Sequence, residues 1–151
     1  MSTLTVYRVE DSRTGQGPYR IRADHSDEQA DAVYEMTSRH SDLPLWKARS
    51  IKQLTNQVAH LHPGPEVDLG TRWLSMEYTQ RSLDYLFGFP SQHRLGEWFF
   101  GERDTLALLD MHVAAYEVAH QAVVRGQWQL AFRKQSARRV ATMSLKEAGV
   151  E

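Results

Sequence analysis

The chain has 151 residues, with 41% hydrophobic and 25% charged residues, which fits one ordinary globular domain with a real core. Its net charge of -1 gives no global field that would draw nucleic acid or an anionic membrane. It has no cysteine, so disulfides, thiolate zinc sites and Cys nucleophiles are excluded.

The opening "TLTVYRVE" alternates, with Leu4, Val6 and Arg8 on one side and Thr5, Tyr7 and Val9 on the other. Its β-branched and aromatic content predicts a strand. "DSRTGQGP" follows as a turn, and "YRIRA" reads as the returning strand of a hairpin. From Ser26, with Gln29 at capping-box spacing, Ala30, Val33 and Tyr34 trace a helix. Ala48, Ile51, Leu54, Val58 and Leu61 trace a second one. "HPGPEVDLG" breaks it, because two prolines and two glycines forbid a regular element. "TRWLSMEYT" reads equally as a strand or as the start of a helix.

Within "FGFPSQHRLGEWFFGERD", Ser91 after Pro90 starts a helix, and Leu95, Trp98 and Phe99 share one face of it. Phe87 and Phe89 fold against its start, while Phe100 falls off the apolar face as a candidate partner contact. Gly101 ends the helix, and "ERDTLALLDMH" begins another, with Leu106, Leu109 and Met111 available for packing. "VAAYEV" and "WQLAF" are strand-like. The expected fold is α+β: a single compact domain over residues 1–135, with a small antiparallel or mixed sheet packed by several helices. Residues 136–151 are expected to form a C-terminal helix or mobile basic tail.

No apolar run reaches the ~20 residues of a membrane helix, and the N-terminus lacks the apolar core of a signal peptide. The expected place is therefore the cytoplasm, with no membrane partner. Arg133, Lys134, Arg138 and Arg139 cluster, but a solvated face explains them better than nucleic-acid binding. His60 and His62, with Asp68 as a third ligand, have a spacing that suits a metal on a strand; a polar loop after a helix explains them better, and no metal is expected. There is no Gly-x-Ser-x-Gly elbow, and neither a P-loop nor a dinucleotide fingerprint.

The blocks "VYRVE", "GQGPY", "HPGPEVD", "FGFPSQHRLGEWF", "AAYEV" and "GQWQLAF" occur in an order that resembles small uncharacterised proteins of phages and prophages. That resemblance implies a phage origin and action in the bacterial host cytosol. A more distant one is to ADP-ribosyltransferase-like folds, through Arg8 on an early strand and Gln127 or Gln129 near a late one. It implies NAD as cofactor, with those three residues as the catalytic candidates. "QWQ" holds no glutamate, however, and a Gln positions a substrate without supplying negative charge.

Two functions therefore stand. One is an accessory protein without a cofactor that binds a host or phage protein, with Tyr19, His62 and Asp68 in the "GQGPY" and "HLHPGPEVD" loops as contacts. The other is an NAD-binding transferase, active or degenerate. Whether the protein is an enzyme, and whether it forms homo-oligomers, the sequence leaves open.

Overall fold

The computed structural model describes residues 2–12, 15, 17, 68–76, 84–108 and 110–151. In chain order these residues form β1 (Thr3–Asp11), α1 (Gly70–Leu74), β2 (Tyr85–Gly88), α2 (Gln92–Trp98), α3 (Arg103–Leu108), β3 (Met111–Ala119), β4 (Val123–Arg125), β5 (Leu130–Arg133) and β6 (Ala137–Met143). The two helices expected around residues 26–40 and 48–61, and the "YRIRA" strand, lie outside the described residues.

Two antiparallel three-stranded sheets carry the fold, in the orders β1-β3-β6 and β2-β5-β4. The expected α+β arrangement, one small sheet packed by several helices, is overturned. Among the described residues strands dominate, and the three helices have only five to seven residues each. The miss has a physical cause. β2 (Tyr-Leu-Phe-Gly) runs into the Phe-Gly-Phe-Pro stretch without alternating, β4 has three residues, and β6 is exposed on both faces from Arg138 to Thr142, so period 2 is silent in all three. The segment expected to be a helix or basic tail instead contributes β6. Leu145, Ala148 and Val150 beyond it are buried in the core. The "ERDTLALLDMH" helix stops early too: Asp110 takes a left-handed turn (φ 56°), and Met111 already belongs to β3.

Strands β1 and β3 of the first sheet bury both faces. Tyr7, Val9, Met111, Val113 and Met143 pack against Phe89, Leu95, Trp98, Phe99 and Leu106. Trp98 and Phe99 are thus core residues, with Phe89 at ring distances of 5.3 and 5.9 Å from them, while Phe100 is 71% exposed. On the other face Leu4, Val6, Tyr116 and Val118 meet Leu86, Val123, Leu130 and Phe132 of the second sheet. The second sheet's outer face is covered by α1, whose Trp73 meets Tyr85 and Phe87 edge-on.

Among the described residues the sheets join at one bridge, where Tyr7 and Phe89 exchange backbone hydrogen bonds of 2.9 and 2.8 Å. Gly88 permits this approach, since a Cβ there would lie 2.5 Å from Val6 Cγ1 and 2.9 Å from the Tyr7 carbonyl.

Strand β6 carries one extra residue. Ala115 pairs with Ala141 but Tyr116 pairs with Arg139, so Val140 bulges out and the alternation resets. Met143 accordingly packs with the helices while Ala137, an even number of residues away, packs on the opposite face. The bulge turns Arg139 to the face that carries Glu10.

Candidate functional site

Alternation along β1 places Leu4, Val6, Arg8 and Glu10 on the face toward the second sheet. The first two are apolar, as a core position demands; the last two bring charges into it. Glu10 is 0% exposed and sits directly across from His112 on β3. Its Oε2 accepts a 2.8 Å hydrogen bond from the Tyr116 hydroxyl and lies 3.4 Å from Arg8 Nε. Its Oε1 lies 3.4 Å from Arg139 Nη1 and 3.5 Å from His112 Nε2.

The Arg8 guanidinium is shared further. It donates to the Phe87 carbonyl at 2.9 Å and to the Gly15 carbonyl at 3.1 Å. A Cβ on Gly17 would come within 3.1 Å of it. The glycines of "GQGPY" therefore close over Arg8. Burial lowers the Arg8 pKa, and the nearby Glu10 carboxylate opposes that shift. Burial, then the hydrogen bond to Glu10, pushes the Tyr116 phenol up to about 12, so it remains the proton donor through the neutral range.

This arrangement is a polar lock. A carboxylate sealed from solvent and surrounded by two guanidinium groups, a phenol and an imidazole offers no face to a substrate. The sequence held part of the signal, since Glu10 continues the Leu4, Val6, Arg8 side of the strand. Apart from Arg8, its partners Tyr116, His112 and Arg139 come from more than a hundred residues away.

A second constellation lies at the β4–β5 turn. The Asp68 carboxylate accepts hydrogen bonds from three consecutive backbone amides: Gln127 at 2.7 Å, Trp128 at 3.0 Å and Gln129 at 2.9 Å. Gly126 makes room, because a Cβ there would fall 2.5 Å from Asp68 Oδ2. Asp68 thus shapes a loop. Replacing it with alanine should cost about 1–2 kcal/mol and speed amide exchange at residues 127–129 roughly tenfold, by leaving three donors to water. Unchanged exchange would show that the carboxylate does not hold the turn.

The loop so held presents Trp128, 41% exposed, with the Arg94 guanidinium 5.3 Å from its ring centre. Arg94 belongs to the first turn of α2, where its amide donates to the Ser91 hydroxyl. Beside it an open cleft of about 460 Å³ is lined by Leu4, Thr5, Tyr7, Pro90, Ser91, Gln92 and Arg125. The glutamines of "QWQ" are the expected site residues, yet it is the tryptophan between them that the turn presents.

Of the residues expected at a site, Tyr19 and His62 lie outside the described residues, as does His60. Arg8 and Asp68 are engaged as above. Gln127 is exposed and Gln129 buried in the same turn. Arg133, Lys134, Arg138 and Arg139 are all exposed, the last two on β6. Among the described residues no three His, Asp or Glu side chains are grouped to hold a metal, and no helix is long and apolar enough to cross a membrane.

A sequence model of the Bacteriophage T4 Y00F protein family matches residues 1–146. The chain belongs to that family. The expected phage origin follows from the membership, which says nothing of a transferase. Neither the curated proteins nor the solved structures gave a match.

Proposed function

We propose that this phage protein acts by binding a protein partner of the host or the phage. The contact is the surface made by Trp128, Arg94 and the cleft beside them. The observation that carries this reading is the exposed tryptophan on a turn fixed by three hydrogen bonds to one carboxylate. Keeping a large ring in water forgoes burial energy, and fixing it in advance lowers the entropy cost of association. Tryptophan and arginine are also the residue types that dominate interface energies. Tyr19, His62 and Asp68 belong to the same proposal, the first two as further contacts and Asp68 as the residue that shapes the turn. The transferase reading asks Arg8 to meet NAD, whereas its guanidinium is occupied by Glu10 and two carbonyls.

Capture from host and phage-infected lysates, read by mass spectrometry, tests the proposal. Trp128→Ala should keep the melting temperature of the parent and lose the captured partner, and Tyr19→Ala with His62→Ala should weaken the same capture. A partner held equally by parent and Trp128→Ala would overturn the surface assignment. NAD consumption by the parent, lost in Arg8→Ala, would favour the transferase.

A further inference from the structure

Strand β6 closes one side of the first sheet, with no further strand beside it among the described residues. A strand seated on a core alternates between buried and exposed positions, yet Arg138, Arg139, Val140, Ala141 and Thr142 are all exposed. Val140 alone leaves 45% of its surface in solvent. From Arg138 to Thr142 both faces are open, the outer edge carries no strand among the described residues, and such an edge offers a row of backbone N–H and C=O groups to another strand.

Among the described residues, cations outnumber carboxylates around this edge. Exposed Arg133 and Lys134 lead into it, and Arg138 and Arg139 lie on it. Among the described residues two carboxylates meet these cations: exposed Glu117, 3.4 Å from Arg138, and buried Glu10, which Arg139 shares with Arg8, His112 and Tyr116.

We propose that β6 is a docking edge for an extended acidic segment of a partner protein, which adds to the sheet as a fourth strand. Main-chain hydrogen bonds supply the affinity, and acidic side chains at alternate positions share one face of the added strand, where they meet Arg138 and select the ligand. A second copy of the chain fits the edge poorly. Antiparallel pairing about Val140 sets the two Arg139 side chains on the diagonal, roughly 7–8 Å apart, where like charges repel. The edge thus discriminates against itself while it favours an acidic strand. The site is separate from the Trp128 surface and does not depend on it.

The test titrates the whole protein, followed by its backbone amide resonances, with a short synthetic peptide alternating Glu and Val. A matched peptide alternating Lys and Val serves as control. The acidic peptide should saturate and shift the amides of residues 137–143, and the basic one should not bind. Arg138→Glu, and separately Lys134→Glu, should weaken the acidic peptide by roughly tenfold or more. Trp128→Ala should leave its binding unchanged. The proposal is overturned by absent saturation, by shifts confined to other residues, or by charge-reversal variants that bind as well as the parent. A dimer in sedimentation that occupies the β6 amides, or a single-stranded oligonucleotide that displaces the peptide from them, would overturn it as well.

Discussion

Glu10→Ala is expected to destabilise the protein by about 3–5 kcal/mol, the range seen when one member of a buried ion pair is removed. The cost comes less from the lost attraction than from what remains: the Arg8 guanidinium, buried on β1, loses its carboxylate and keeps its charge. Arg139 behaves differently. Its side chain is 54% exposed, and Glu10 keeps Arg8, Tyr116 and His112 around it, so Arg139→Ala should cost at most about 1 kcal/mol. Tyr116→Phe, which deletes one hydrogen bond to a charged acceptor, should fall between them at about 1.5–3 kcal/mol. Urea denaturation of the three variants checks the order. A Glu10→Ala midpoint equal to that of Arg139→Ala would show that the buried pair is not the centre of the network.

The second large effect belongs to Trp98. Its ring lies against Phe89 between α2 and the first sheet, beside Leu95 and Val9 in the same cluster. Trp98→Ala should cost about 3–5 kcal/mol through lost burial and the cavity left behind. For a chain of this size each kcal/mol moves the melting temperature by about 2–4 °C, so a fall of at least about 6 °C is expected. Phe100→Ala, two residues on and exposed, should leave the melt within about 2 °C. Equal melts for the two variants would remove Trp98 from the core.

Local pattern made part of this legible. β1, the Ser91 cap, and the Leu95, Trp98, Phe99 face follow from spacing and capping chemistry, because neighbours in sequence decide them. Of the second sheet only β5 showed, in "WQLAF"; β2 and β4 are three or four residues long and take their order from pairing with distant segments. β6 was hidden by its arginines, which suit a solvated helix as well as a sheet edge. The site was harder still. Asp68 reads as an adaptable loop residue until the amides some sixty positions away are seen to converge on it. Arg139 reads as one of four surface cations until the extra residue at Val140 turns it toward Glu10.

The pairing of β1 also sets how the chain must reach this structure. Its partners on β3 are 100 residues away at Asp11–Met111 and 116 away at Thr3–Ala119. The bridge to Phe89 spans a further long interval. None of these contacts forms locally, so the loop-closure entropy falls due before any of the sheet's stabilisation arrives. Folding should therefore be slow for a chain of this length, in the range of milliseconds to seconds rather than microseconds. Until β3 is available, Val6 and Val9 leave both faces of an unpaired strand apolar. During synthesis that unpaired strand is an aggregation hazard until its partner emerges.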